Sequence, residues 1–249
     1  MSPWWPGWLP VHPHVLFEAL GYAVAFRVLV AERARLGDPV IDPVTRMTLL
    51  VIAVAGAVVG AKALSWLEDP ATLWAHRTDP AVWLGGKTIV GALLGGLAAT
   101  ELAKPRLGIF VSTGDVYVRP LGIGLAIGRI GCFLSGVTDG THGVATSVPW
   151  GLDLGDGVPR HPTALYEIGW LGVLGVAVEA VRWRRPGDRF AGWMVGYLGF
   201  RLGIEALKTQ PFVYGGLSAI QVACLGGLAY YAARGWRLAR RGPPEGPVG

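Results

Sequence analysis

Apolar residues run along this chain in seven long blocks, at roughly 14–31, 46–67, 83–101, 115–135, 163–182, 190–208 and 216–236. Each block suffices to cross a hydrocarbon core of ~30 Å, which takes about 20 helical residues. The pattern predicts an all-α polytopic membrane protein with seven transmembrane helices.

The polar stretches between the blocks set the orientation. Connections after the first, third and fifth blocks, and the tail after the seventh, hold Arg33, Arg35 and Arg46; Lys104, Arg106 and Arg119; Arg182, Arg184, Arg185 and Arg189; and Arg234, Arg237, Arg240 and Arg241. The other side has Arg77, Arg160 and Lys208. Basic loops stay cytoplasmic, so the N-terminus is expected outside and the C-terminus inside. Residues 1–241 are expected to form a single transmembrane domain, with an irregular outside cap at 136–162 between helices 4 and 5. A loop of that length rich in Gly, Pro, Asp and Thr usually covers a site, and a short strand is expected near Trp150 to Leu154. Residues 242–249, mostly Gly and Pro, are expected to be disordered.

Composition agrees. The 249 residues are 52% hydrophobic and 16% charged, with mean hydropathy +0.44, against a charged fraction of about 25% in soluble domains. The net charge of +5 follows from topology, since no nucleic-acid-reading motif accompanies it. Cys132 and Cys224 both sit in apolar blocks, which predicts buried thiols rather than a disulfide or a metal site. The stretch Met1 to Pro13 has no Lys or Arg and no cleavage signature, so the first block is expected to be retained. Glycine pairs four apart (56 and 60, 91 and 95, 124 and 128, 192 and 196, 199 and 203) put two small residues on one helix face and predict close packing.

Charges inside the blocks carry the candidate chemistry. Glu18, Lys62, Lys87, Arg129, Glu167, Arg201 and Glu205 fall in the outer halves of their helices, and Arg27 and Glu179 toward the inner ends. Arg27 and Glu179 are most simply snorkelling or paired near the headgroups. Lys62, beside Trp66, and Lys87, after Gly85-Gly86, suit either an interfacial position or a site. Glu18 suits a carboxylate at a helix N-terminus, and Arg201 with Glu205, four apart, suits a plain ion pair. Arg129 lies deepest, between Gly128 and Gly131, and a cation at that depth costs several kcal/mol unless an anion meets it. The seven outer groups comprise four cations and three carboxylates. Two of the cations are arginines able to form bidentate forks to phosphate. The chemistry therefore asks for the phosphate of an anionic phospholipid. The cap ends in Arg160-His161-Pro162-Thr163-Ala164-Leu165-Tyr166-Glu167, which starts a helix and brings His161 to the mouth of the site. His161 has a suitable ordinary pKa to accept a thiol or hydroxyl proton, ahead of Glu167 and Asp139.

The ensemble resembles the prolipoprotein diacylglyceryl transferase family. The matching pieces are Gly128-Arg129-Ile130-Gly131 with Phe133, Gly140, Pro149-Trp150-Gly151, His161-Pro162 with Leu165-Tyr166-Glu167, and Arg201 with Glu205, followed by Gly216-Leu217-Ser218 and Gln221. The resemblance implies a multi-pass enzyme of the bacterial cytoplasmic membrane. It moves diacylglyceryl from phosphatidylglycerol to the lipobox cysteine of a preprolipoprotein, in lipoprotein biosynthesis, without a cofactor or metal. On that basis Arg129, Arg201, Glu205 and His161 are the expected catalytic residues. Lys87, Gly128, Gly131, Asp139, Gly140, Tyr166 and Glu167 are the expected substrate-binding ones. The sequence departs from the family at Val90, where a histidine is usual, and at Cys132, Val137, Ala164 and Phe17-Glu18. These departures leave open a non-catalytic phospholipid-binding accessory protein. Transport is disfavoured by the outer clustering of charge and the lack of an internal repeat.

Overall fold

The computed structural model describes residues 5–6 and 11–240. In chain order it contains the helices α1 (Pro13–Leu36), α2 (Pro43–Glu68), α3 (Pro70–Ala75), α4 (Pro80–Leu84), α5 (Ile89–Ala103) and α6 (Val118–Ser135). The strands β1 (Leu152–Asp153) and β2 (Pro159–Arg160) follow, then α7 (Thr163–Ala180), α8 (Asp188–Ile204) and α9 (Ala219–Arg240). The protein is a multi-helix membrane protein. Among the described residues four helical stretches are long and apolar enough to span: Pro13–Leu36, Pro43–Glu68, Asp115–Thr138 and Thr163–Ala180. The expected tail at 242–249 lies outside the described residues.

Local chemistry fixes the helix starts. Asp42 accepts from Thr45 N at 2.7 Å with Pro43 at the first helical position, and Thr88 Oγ1 accepts from Gly91 N at 3.1 Å. The long helix of the third apolar block therefore begins only at Ile89, after the short α4, and Lys87 lies between the two. The sixth block also ends early: α8 stops at Ile204, followed by a 3-10 turn at Glu205–Leu207.

The chain divides into two compact units. The first comprises Met1–Asp38 and Thr113–Thr209. Its hub is α8, where Trp193, Met194, Tyr197 and Leu198 are fully buried and the rings of Trp193 and Tyr197 stack at 5.4 Å. Asp115 holds the start of α8 by accepting from Gly187 N at 2.7 Å and Phe190 N at 2.9 Å. α1 packs on α6 by backbone approach, since a Cβ at Gly21 would sit 2.8 Å from Gly124 O. The ends of α1 and α7 and the starts of α6 and α8 are tied by ion pairs. Glu32 meets Arg35, Arg119 and Arg189, and Glu179 meets Arg35, Arg119 and Arg189, so Glu179 is paired.

The cap belongs to this unit. The expected strand is present as β1, antiparallel to β2 with Leu152 opposite Arg160. Asp153 Oδ1 accepts from the amides of Gly155, Asp156 and Gly157 and so closes the turn between them. Led by the Gly155 amide, these bonds hold its carboxyl below the usual carboxylate range.

The second unit comprises Pro39–Ser112 and Gln210–Gly249. Its α2 and α5 touch through glycine. A Cβ at Gly60 would lie 2.3 Å from Gly91 O, and one at Gly56 would lie 2.7 Å from Gly95 O. Two of the sequence pairs thus pack as expected, whereas around Gly199 and Gly203 there is open space. Lys62 Nζ donates to the carbonyls of Leu84, Gly85 and Gly86 and closes the turn after α4.

Candidate functional site

The deepest charges of the first unit converge. Glu167, in the first turns of α7, is 1% exposed, and its Oε2 lies 2.9 Å from Arg129 Nε on α6 and 3.2 Å from Arg201 Nη1 on α8. Tyr197, one turn before Arg201, donates to Glu167 Oε1 at 2.7 Å. Arg201 Nη2 donates to Glu205 Oε2 at 2.8 Å, with Glu205 wholly buried. Three helices thus share one carboxylate at their centre.

Sequence reasoning brought Arg129, Glu167, Arg201 and Glu205 together, and the structure does so. Glu167, expected to meet substrate, is here the counter-ion of both arginines. The sequence reading missed Tyr197, four residues before Arg201 and hence on its helix face. It also missed Lys208, counted only as an outside charge. Lys208 is 6% exposed, lies in electrostatic range of Arg129, Arg201, Glu167 and Glu205, and bridges through its backbone to Gly143 of the cap. Arg129 and Arg201 balance Glu167 and Glu205 formally; burial, and then the two arginines, push the pKa of Lys208 down to about 7, so the third positive charge is complete only when a further anion joins it. Arg201 Nε, a donor, is buried without a hydrogen-bond partner, and Glu205 Oε1, likewise unpartnered, can only accept. Buried charge and buried polar atoms both cost free energy until matched. The arrangement therefore suits an anion with several oxygens.

The other expected residues divide among several roles. His161 and Tyr166 meet on the cap, His161 Nδ1 lying 3.2 Å from Tyr166 OH, which also accepts from Trp150 Nε1 at 2.7 Å. Gly140 adopts φ 66° at the end of the 3-10 turn Gly136–Asp139, a conformation that favours glycine. Asp139 closes that turn, and its side chain lies outside the described part. A Cβ on Gly131 would sit 2.8 Å from Phe17 Cβ and 3.1 Å from Pro13 O, so this glycine admits the start of α1. Gly128 has open space where a Cβ would be. Lys87 and Lys62 belong to the second unit, where Lys87 is exposed. Val90 is buried in α5.

Glu18 lies apart from the buried carboxylates. It pairs with His14 at 3.6 Å and accepts from Tyr22 OH at 2.7 Å. The other nitrogen of His14, Nδ1, is 3.7 Å from Cys132 Sγ, to which Arg129 Nη1 donates at 3.5 Å. Among the described residues no group of three or more His, Cys, Asp and Glu side chains could hold a metal ion.

A family model described as prolipoprotein diacylglyceryl transferase matches residues 4–234. Among curated proteins, the phosphatidylglycerol–prolipoprotein diacylglyceryl transferase of Bordetella bronchiseptica is 31% identical over 234 residues, covering 86% of this chain and 84% of the relative. The protein of the same name from Methylococcus capsulatus is 31% identical over 241 residues, covering 88% and 87%. That of Legionella pneumophila is 37% identical over 139 residues, 52% of each chain.

Proposed function

The chain belongs to the prolipoprotein diacylglyceryl transferase family, and on that premise we propose that it transfers diacylglyceryl from phosphatidylglycerol to the lipobox cysteine of a preprolipoprotein. The observation that carries this reading is the buried cluster in which Arg129 and Arg201, on two helices, converge on Glu167, with Glu205 and Lys208 beside them. We read α1, α2, α5, α6, α7, α8 and α9 as the seven spans in a bacterial cytoplasmic membrane, N-terminus outside. That orientation puts the cluster at outer-leaflet depth, where a lipid phosphate is the natural anion.

In this reaction the cysteine sulfur attacks the diacylglyceryl carbon bound to phosphate oxygen. The new C–S bond forms as that C–O bond breaks, and glycerol phosphate leaves with the bonding pair. Arg129 and Arg201 hold the phosphate and offset the charge that grows on the leaving oxygen. Glu205 orients Arg201, Glu167 fixes the spacing of the two arginines, and Lys208 adds a third positive charge below the cap. Gly128 leaves room beside Arg129, and Lys87, Gly140, Tyr166 and Asp139 are assigned to the substrate path. An ordinary thiol, with pKa near 8.5, is only a few per cent ionised at pH 7, so its proton needs an acceptor. Two imidazoles of the first unit are candidates, His161 on the cap and His14 on α1.

The test is transfer from labelled phosphatidylglycerol to a lipobox peptide by protein purified from membranes. Arg129→Ala and Arg201→Ala, each still accumulating in the membrane, are expected to lose transfer by at least about 100-fold. Full activity in either variant would sink the assignment. The substitutions at Val90 and Cys132 favour one rival, a phospholipid-binding accessory protein, and wild-type binding without transfer would establish it.

A further inference from the structure

Cys132 does not sit in an inert apolar pocket. Its Sγ lies between two nitrogens: Arg129 Nη1, donating at 3.5 Å, and His14 Nδ1, at 3.7 Å. Behind the imidazole, Glu18 Oε2 is 3.6 Å from His14 Nε2, and Tyr22 OH donates to Glu18 Oε1 at 2.7 Å. Thiol, imidazole and carboxylate in this order form the arrangement by which hydrolases and transferases activate a nucleophile or move a proton. The local sequence makes it possible. Pro13 starts α1, the ring of His12 caps it by accepting from His14 N at 3.3 Å, and Gly131 lets that first turn lie against the α6 backbone. Cys132 also lines a small cavity with Thr141, His142, Pro162 and Thr163, beneath the cap.

The charged and titratable groups around the pair can be named. From α1 they are His12, Glu18 and Tyr22; from α6, Arg129; from α7, Glu167, acting through Arg129; and from the cap, His142.

We infer that Cys132 and His14 form a thiolate–imidazolium pair that takes the proton of the incoming acceptor thiol, with Glu18 positioning His14. This rests on the transferase reading given above. The incoming R–SH hands its proton to Cys132 Sγ, leaving R–S⁻ to attack the glyceryl carbon and Cys132 as a neutral thiol. The imidazolium of His14 gives its own proton to solvent along the Glu18 edge, where the two side chains are 24% and 26% exposed. Transfer of the Cys132 proton to His14 then restores the pair. The same Arg129 that holds the phosphate stabilises the thiolate, so the acceptor and the electrophile are gathered at one residue. Cys132 is the catalytic residue of this unit, and His14 and Glu18 are positioning residues.

Two measurements on the purified full-length protein test it. The first needs no transfer: iodoacetamide alkylation between pH 5.5 and 9, with peptide mass spectrometry separating Cys132 from Cys224. At pH 6.5 Cys132 is expected to react about tenfold faster in the wild type than in His14→Gln, with Glu18→Gln in between. Coincident rate–pH profiles overturn the proposal. So does a complete lack of labelling, because a site that admits a peptide thiol admits this small amide. The second measurement is transfer. Cys132→Ala is expected to lower kcat by about 100-fold or more with KM for phosphatidylglycerol unchanged. Normal kcat in Cys132→Ala overturns the proposal and leaves the transferase reading standing. A wild-type protein that shows the fast thiol but no transfer overturns the role as proton acceptor together with the transferase reading, and leaves only the ion pair.

Discussion

The first unit carries two ion clusters made of the same parts, and they differ in what surrounds them. Arg35, Arg119 and Arg189 with Glu32 and Glu179 tie the helix ends that the proposed orientation makes inner; Arg129, Arg201 and Lys208 with Glu167 and Glu205 gather at the ends it makes outer. Each has three cations and two carboxylates. In the inner cluster the side chains of Arg35 and Arg119 are 42% and 40% exposed, so water and headgroups can balance the surplus charge. In the outer cluster no member exceeds 7%. The same composition is a tether where solvent reaches it and a demand for an anion where solvent does not. Charge count alone therefore does not identify a site; burial does.

The largest expected effect breaks the outer cluster at its centre. Glu167→Gln leaves Arg129 and Arg201 facing each other with a neutral amide between them, and should cost about 3–5 kcal/mol of stability. Thermal unfolding in detergent would read this as a lower midpoint. Added phosphatidylglycerol should recover part of the loss if the missing anion is its phosphate. A smaller effect is expected from Arg201→Lys, which keeps the charge and removes the fork. Transfer should fall about 10- to 100-fold, from one or two lost charge-assisted hydrogen bonds, with the unfolding midpoint nearly unchanged. Wild-type transfer in that variant would mean that charge suffices there. The smallest effect should come from the inner cluster. Arg119→Ala should cost less than about 1 kcal/mol and leave transfer intact, and the difference should shrink further in high salt. A loss as large as that of Glu167→Gln would erase the distinction between the two clusters.

Much of the frame was legible because hydropathy reports depth directly. The expected blocks fall on α1, α2, α6 and α7 with only small shifts at their ends, and the caps at Asp42 and Thr88 explain where helices begin. Depth also singled out Arg129, Glu167, Arg201 and Glu205. What hydropathy does not report is azimuth. Glu167 and Tyr166 are adjacent in sequence, yet one turns inward to two arginines and the other outward to Trp150. That choice depends on packing of α7 against α6 and α8, which no local pattern encodes. His14 was overlooked for the same reason. Its meaning comes from Cys132, 118 residues away, through an approach that Gly131 permits.

The double tethering of the first unit also has a mechanical side. α6, α7 and α8 each contribute to both clusters, through Arg119 and Arg129, Glu179 and Glu167, and Arg189 and Arg201. On α7 and α8 the two anchor points are twelve residues apart, about 18 Å along the axis. A helix fixed at one end can swivel, but one fixed at both can neither slide nor rotate without releasing pairs at two places. Slippage of any of the three by a single residue, about 1.5 Å, would therefore be opposed twice. The helices act as a truss whose register is set independently of whatever occupies the space between them.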